Sequence, residues 1–223
     1  MSTALFWHRR DLRIQDNAGL YKALKNNEAV IPVFIFDHSI LQVLPKIVRR
    51  VLFIHQELAK IKAQYRSLGS DIEVLYGDPK VEIPALAQKY RAQKVYTNRD
   101  YEPYALQRDK TLYDTLQTEG IGFSGAKDHV IFEKSEVMKG DGTPYTVFTP
   151  YSRKWKERLS QEPISLHDSK GALSHVQGIE KAPKIPRLTD LGFEPSGLNF
   201  PSIEVEDLLI SKYSDQRNFP AKP

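Results

Sequence analysis

Four short charged segments in the first half of the chain each follow a run of apolar residues. These segments cover residues 8–13, 37–38, 77–78 and 99–102. The carboxylates of Asp100 and Glu102 lie two positions apart and can accept hydrogen bonds from N–H groups of a planar heterocycle. Phe34, Phe36 and Asp37 end one apolar run and can wall and anchor such a ring. This set of side chains indicates ligand binding, and no catalytic residue is expected among them.

The segments that position these side chains alternate between strand-like and helix-like patterns. Short runs rich in Val, Ile, Phe and Tyr occupy residues 4–7, 29–36, 71–76 and 94–98. Such alternation, with nearly continuous apolar strands, is typical of βαβ units and of a parallel sheet covered on both faces. The sequence therefore predicts an α/β fold over residues 3 to about 125. We expect a doubly wound, five-stranded, Rossmann-like parallel sheet whose ligand site lies beyond the carboxyl ends of its strands.

The clearest helical pattern places apolar residues four and three positions apart from Ile47 to Leu68. That spacing predicts one long helix with a continuous apolar face. Three residues are expected to mark helix ends: Asp16 as the N-cap of a helix beginning near Asn17, Pro84 in a first turn, and Gly120 after the helix from about Pro103.

Three parts of the chain differ in character. Residues 1–130 hold the α/β pattern, and residues 131–202 read as an interdomain connector packed on it, irregular beyond about residue 160. Residues 203–223 form a closing segment, with a short helix expected around residues 205–212. The connector is polar and contains Pro, Gly and Ser without a sustained period, so we expect no second sheet there.

Composition and missing motifs exclude several functional classes. The chain has no cysteine, and its six histidines show no metal-ligand spacing, so a disulfide or a metal site is not expected. No G-x-G-x-x-G, P-loop, G-x-S-x-G or H-E-x-x-H sequence supports dinucleotide binding, phosphoryl transfer or hydrolysis. The formal charge of +4 is compatible with nucleic acid but does not require it. Without a signal peptide or a membrane-length apolar stretch, we expect a cytoplasmic protein.

Four motifs, in order along the chain, resemble those of the DNA photolyase and cryptochrome family. F-W-H-R-R-D-L-R-I-Q-D-N (residues 6–17) is similar to the opening signature W-x-R-x-D-L-R-x-x-D-N. T-N-R-D-Y-E-P-Y (97–104) resembles the segment after the fourth strand, and G-T-P-Y-T-V-F-T-P-Y-S-R-K-W (142–155) resembles P-Y-x-V-F-T-P-[FY]-x-x-x-W. Y-S-D-Q-R-N-F-P-A (213–221) is similar to the start of the flavin domain, Y-x-x-x-R-[DN]-F-P-A.

The resemblance implies an N-terminal domain that binds a light-harvesting antenna chromophore and a helical domain that binds FAD. The whole protein would repair cyclobutane pyrimidine dimers, which are extruded from damaged DNA. The matching antenna positions are Phe34, Phe36, Asp37, Arg50, Asp100 and Glu102, with His8 and Arg9 as further candidates. They favour a deazaflavin, with methenyltetrahydrofolate or flavin mononucleotide (FMN) as alternatives. Tyr213 would contact FAD and Arg217 would face DNA, both together with the helical domain.

Each of these positions also has a simpler interpretation. From charge alone, Asp100 and Glu102 form a solvated loop that caps a helix, and the two phenylalanines are buried strand residues. Arg50 is a surface arginine, although the start of a helix is an unfavourable place for a cation that serves no ligand. In the segment His8–Arg10 one side chain is expected to line the crevice and another to pair with Asp11 or Asp16. Asp11 and Arg13 are expected to hold that loop.

Two other functions stay open at this stage. One is a cryptochrome-like photosensor that signals without repairing DNA, and the other is a stand-alone nucleotide- or flavin-binding module. We expect the chain to stop before the FAD domain, because the family segment G-T-S-x-L-S does not follow. The chain by itself is therefore expected to be a monomer that neither retains FAD nor repairs DNA.

Overall fold

A five-stranded sheet forms the centre of the protein. The computed structural model describes residues 2–164, 166–168, 170–179, 182–195, 197, 200 and 207–218. The strands are β1 (Thr3–His8), β2 (Ala29–Asp37), β3 (Glu73–Gly77), β4 (Lys94–Asn98) and β5 (Gly122–Ala126). Every pairing is parallel, and the order across the sheet is β3-β2-β1-β4-β5. The predicted doubly wound parallel sheet is confirmed, and its order reverses at β1.

The first five helices lie in the connections between strands and cover both faces of the sheet, and the other three follow β5. In chain order the helices are α1 (Ala18–Asn26), α2 (His38–Leu41), α3 (Arg49–Ser67), α4 (Pro79–Lys89), α5 (Pro103–Thr118), α6 (Phe148–Gln161), α7 (Asp207–Ser211) and α8 (Tyr213–Gln216). Alternate residues of β1 enter different cores, since side chains of a strand point to opposite faces. Phe6 packs in the core covered by α1 and α3, whereas Leu5 and Trp7 pack in the core covered by α4 and α5.

The long helix α3 follows the predicted apolar pattern over most of its length. Val51, Leu58, Ile61 and Tyr65 are buried against the sheet. Ile47 precedes the helix and is exposed, because α3 begins only at Arg49 after the extended residue Val48. Leu68 follows the helix and is also exposed, so the buried stripe is shorter at both ends than the sequence indicated.

Two of the predicted helix ends are wrong. Asn17, and not Asp16, caps α1: its side chain accepts a hydrogen bond from the Leu20 amide, while Asp16 has a positive φ of 47°. Pro84 lies inside α4, and the proline of the first turn is Pro79. Gly120 does follow α5, with a φ of 71° that favours glycine.

The described residues after α6 contain little regular structure. In the described part of residues 162–200, the regular structure consists of a 3-10 turn at Lys170–His175 and a single bridge between Val30 and Val176. Lys62 ties this segment to α3, since its Nζ bonds the Pro183 carbonyl at 3.1 Å and Asp71 at 2.7 Å. Of the predicted helix at 205–212, α7 accounts for Asp207–Ser211, and residues 205–206 lie outside the described residues.

Among the described residues, no helix is both long enough and apolar enough to cross a bilayer.

Candidate functional site

A cavity of about 410 Å³ opens at the carboxyl ends of β1, β2 and β4, next to the point where the strand order reverses. That is where ligands bind to open α/β sheets. Its lining is mostly apolar with a few charged groups, as in small-molecule sites. It consists of Trp7, Arg9, Arg10, Phe34, Ile35, Phe36, Asp37, Ile40, Leu41, Leu44, Arg50, Val51, Ile54, Asp100, Glu102, Tyr104, Ala105 and Arg108.

The predicted candidates meet in this cavity, with the exception of His8. His8 is fully buried beneath it, where Nε2 lies 2.8 Å from the Tyr65 hydroxyl and Nδ1 lies 3.2 Å from the Asp11 carbonyl. Burial lowers the pKa of His8 below its usual 6.5, and Asp11 only partly opposes that shift. His8 is therefore a neutral structural side chain in this fold.

The aromatic wall comes from the end of β2. The rings of Phe34 and Phe36 meet edge to face with centroids 5.0 Å apart, a favourable aromatic geometry. Both are buried, and Phe36 also lies against the ring of His55, with centroids 6.4 Å apart. A planar ligand entering the cavity would therefore meet a fixed apolar surface on this side.

Asp37, the last residue of β2, is engaged mainly in hydrogen bonds and an ion pair within the protein. It accepts a hydrogen bond from the Tyr104 hydroxyl at 2.8 Å and pairs with Arg108 Nη1 at 3.4 Å. Its other oxygen accepts from the Ser39 amide, which caps α2. Burial and the neighbouring carboxylate raise the pKa of Tyr104, so its hydroxyl remains a donor. Asp37 thus fixes the shape of the cavity floor.

Asp100 and Glu102 follow β4 and share one cation. Arg10 Nε lies 3.1 Å from Asp100, and Arg10 Nη2 lies 3.9 Å from Glu102. Asp100 is nearly buried and also accepts from the amides of Tyr101 and Glu102. The Glu102 side chain is 62% exposed and makes no capping bond to α5, although Glu102 occupies its N-cap position. Its carboxylate is therefore available at the cavity mouth.

Arg50 lies in the first turn of α3 and also lines the cavity. Its side chain is exposed, and within the described ranges it has no ion pair. A cation at the start of a helix is unfavourable unless an anion is placed beside it. An anionic group of a ligand would supply that partner.

Sequence reasoning missed Trp7, Tyr104 and Arg108. Two guanidinium groups lie over the indole ring of Trp7, with their central carbons 5.0 Å (Arg9) and 4.7 Å (Arg108) from the ring centroid. Asp109 holds both cations, at 2.8 Å from Arg9 and 3.0 Å from Arg108. One signal was available: Tyr104 and Arg108 lie four residues apart at the start of α5, so they share the helix face that follows β4.

The loop after β1 is held as the sequence predicted. The Asp11 carboxylate accepts hydrogen bonds from the Arg9 amide and from the side-chain amides of Asn17 and Asn98. Burial would raise the pKa of Asp11, but His8 once protonated at acidic pH, together with the hydrogen bonds from the Arg9 amide and the Asn17 side chain, lowers it, so the carboxylate stays ionised. Arg13 pairs with Asp128 at 2.8 Å. This network fixes the segment that carries Arg9 and Arg10 to the cavity.

Two further features lie away from the cavity. A second cavity of about 330 Å³ is lined by Arg13, Asp128, His129 and neighbouring residues. Tyr213 begins the four-residue helix α8 with 64% of its surface exposed, and Arg217 follows this helix, also exposed. Neither of these two residues lines the cavity at the carboxyl ends of β1, β2 and β4.

A doubly wound sheet with a switch-point cavity defines a ligand-binding α/β domain of the Rossmann-like class. The sequence model of the DNA photolyase family matches residues 4–168, so the chain belongs to the DNA photolyase family. It is 35% identical to the deoxyribodipyrimidine photo-lyase of a Synechococcus strain, over 98% of this chain and 48% of the relative. For the enzyme of Halobacterium salinarum the identity is 32%, over 97% of this chain and 48% of the relative.

The chain thus spans about half the length of these two relatives. An uncharacterized 31.6 kDa protein of a second Synechococcus strain is 34% identical over 98% of this chain and 80% of its own length. Among solved structures, a class III photolyase from Agrobacterium tumefaciens matches 97% of this chain and 41% of its own, with a TM-score of 0.74 and 24% identity. A cryptochrome from Synechocystis matches 96% of this chain and 46% of its own, with a TM-score of 0.68 and 20% identity. The α/β fold is therefore that of the photolyase N-terminal domain.

Proposed function

We propose that this chain is the antenna-binding domain of a light-dependent DNA repair enzyme, and that its cavity holds a planar light-harvesting chromophore. The single observation that carries the proposal is the composition of the cavity. The buried Phe34–Phe36 wall, the Asp100–Glu102 carboxylates and Arg50, which has no ion pair among the described residues, line one space at the switch point of the sheet. Membership of the photolyase family supports the same role.

The donor set fits a ring with N–H groups on one edge and an anionic group elsewhere. Glu102 and Asp100 would accept from the N–H edge, the phenylalanines would cover the ring, and Arg50 would attract the anionic group. When bound, the chromophore would absorb light and pass its excitation to a second pigment. We favour a deazaflavin or FMN over methenyltetrahydrofolate. A solved photolyase from Sulfolobus tokodaii, 24% identical, is described as containing two FAD molecules, with the implication of a novel light-harvesting cofactor.

The activity of the whole protein is part of the same proposal. In this proposal residues 1–130 bind the antenna chromophore, and residues 131–202 connect that domain to a helical domain. Residues 203–223 form the first segment of the helical domain, which holds FAD and receives the damaged DNA. Tyr213 would contact that FAD and Arg217 would face the DNA, and their exposed positions leave both side chains accessible. The chain by itself would be a cytoplasmic monomer that does not retain FAD at its C-terminal segment and does not repair DNA.

The test of the proposal is a fluorescence titration of the purified chain with deazariboflavin, FMN and methenyltetrahydrofolate. Because Glu102 is 62% exposed, a Glu102→Ala substitution should weaken binding by about 0.5–1.5 kcal/mol, or roughly 2- to 12-fold. Asp114→Ala is the matched control, since Asp114 is a similarly exposed carboxylate, 59%, on α5.

Two outcomes would contradict the proposal. One is a wild-type chain that binds none of the three compounds. The other is a Glu102→Ala variant that binds as tightly as wild type and Asp114→Ala.

A further inference from the structure

Helix α6 carries a concentration of positive charge that the proposed antenna function does not use. The structure describes all 14 residues of α6, and none of them is buried, belongs to either hydrophobic core or lines the switch-point cavity. The helix contains one carboxylate, Glu157, and four cations: Arg153, Lys154, Lys156 and Arg158. A helix that buries no residue and is strongly basic is suited to contacting a partner.

The inner side of α6 fixes the helix on the α/β domain. Trp155 packs edge to face on Phe132, with the ring centroids 5.7 Å apart. The Arg158 guanidinium lies over the same Phe132 ring, with its central carbon 5.1 Å from the centroid, and it donates a hydrogen bond to the Glu136 carbonyl. Because these contacts use one side of the helix, its other side faces solvent in a fixed orientation.

A row of polar residues runs along this outer side. Its members lie four, three and four positions apart, a spacing that places them on one helix face: Thr149, Arg153, Lys156 and Ser160. All four are exposed. In the part of the chain that the structure describes, Arg153 and Lys156 form no ion pair, whereas Lys154 and Arg158 each pair with a carboxylate. The row therefore presents two free cations between two hydroxyl groups.

A polyanion suits this row better than a protein surface does. The large apolar residues of α6 share the other side of the helix: Phe148, Tyr151, Trp155 and Leu159. Stable protein interfaces have an apolar centre that is depleted of charged residues, which the outer row does not offer. Arginine, lysine and hydroxyl side chains are the groups that contact phosphate oxygens of DNA. Arg153 and Lys156 are about 4.5 Å apart along the helix axis, so both can contact one DNA strand.

We propose that the outer row of α6 binds the phosphate backbone of duplex DNA without sequence preference. The choice of DNA among polyanions rests on the function proposed above, in which the whole protein acts on damaged DNA. The surface itself is separate from the antenna cavity and from the segment that opens the helical domain. The α/β domain thus adds phosphate contacts of its own to those of the helical domain.

The salt dependence of DNA binding tests the inference on the chain as it is. The experiment titrates a fluorescein-labelled duplex with the purified chain over a range of salt concentrations and measures fluorescence anisotropy. The wild-type chain should bind at low salt, with an affinity that falls linearly on a log–log plot against salt. Arg153→Gln/Lys156→Gln should bind more weakly, and its slope should be smaller by about 2, because each lost phosphate contact releases about one counterion fewer.

A matched control separates this surface from the effect of net charge. Lys60→Gln/Lys110→Gln removes the same number of charges from exposed lysines that already pair with Glu57 and Asp114. Its affinity and its salt slope should stay close to those of wild type. Urea unfolding of both double variants verifies that they are folded.

Two results would overturn the inference. One is a wild-type chain that does not bind the duplex even at low salt. The other is a folded α6 variant whose affinity and salt slope equal those of the Lys60→Gln/Lys110→Gln control. Since no chromophore is present in this assay, either result would leave the proposed antenna function standing, and a failed chromophore titration would leave the DNA-binding result unaffected.

Discussion

The charged side chains around the cavity differ in how many of their hydrogen-bond sites the protein itself uses. Asp37 is occupied by Tyr104, Arg108 and the Ser39 amide, whereas Glu102 has one distant cation and open solvent. A ligand gains the most binding free energy from polar groups that are held in position but have no hydrogen-bond partner yet, because no existing bond is lost on binding. At the residue scale, we therefore expect Glu102 and Arg50 to select the proposed ligand, and Asp37 to shape the space that it enters.

The buried His8 gives a prediction for the pH dependence of stability. Its pKa in the folded chain is lowered by burial, so below pH 6.5 the unfolded chain binds a proton that the folded chain does not. Stability should therefore fall as pH decreases from 6.5 towards the folded pKa, by up to about 1.4 kcal/mol per pH unit. The measurement is the free energy of urea unfolding from about pH 7.5 to about pH 5, for wild type and for His8→Gln.

His8→Gln should be less stable overall but should show a smaller loss across that range. The Asp11 carboxylate next to it does not interfere, because its pKa is lowered from 3.8 and its contribution is lost only at more acidic pH. Equal pH slopes for the two proteins would show that His8 does not titrate differently in the folded state.

At the scale of secondary structure, periodicity was a reliable guide and helix ends were not. The sheet and α3 could be predicted because burial on both faces leaves a strong apolar pattern in the sequence. Asp16 and Asn17 are both good caps, and only the tertiary contacts of Asn17 with Asp11 and Asn98 decide between them. The residues that complete the cavity, such as Arg108 with Asp37, are 71 positions apart in sequence, so no local pattern could pair them.

Gly19 tests how closely α1 must approach the sheet. A Cβ there would lie 2.6 Å from Asn98 Oδ1 and 2.9 Å from Phe6 Cε2, both buried. Gly19→Ala should therefore lower the free energy of unfolding by about 1–3 kcal/mol, even though alanine favours a helix. Gly140→Ala is the control, because nothing lies within 4 Å of its Cβ position.

Thermal or urea unfolding of the two glycine variants gives the answer. We expect a clear loss of unfolding free energy for Gly19→Ala and little change in it for Gly140→Ala. A Gly19→Ala protein as stable as wild type would mean that α1 can shift away from β4 without cost.

At the scale of the whole molecule, two hydrophobic cores lie on opposite faces of the sheet, and both contain residues of β1. Residues beyond α6 complete one of them, since Val176, Leu191 and Phe193 are buried in the core that contains Phe6. Lys62 and His55 of α3 also bond to the backbone carbonyls of this later segment. The family could be inferred from four motifs and is confirmed by the family match over residues 4–168. The class of the proposed chromophore could not be predicted from the sequence. It depends on how side chains from β1, β2, α3 and α5 are arranged around the cavity.

The most direct test of the central claim is a crystal structure of this chain soaked with FMN or deazariboflavin at a concentration above its measured Kd. The account predicts a ring in the cavity beyond β1, β2 and β4, covered by Phe34 and Phe36, with its N–H edge towards Glu102 and Asp100. A ring bound instead in the cavity near Asp128 and His129, or an empty switch-point cavity in saturated crystals, would contradict it.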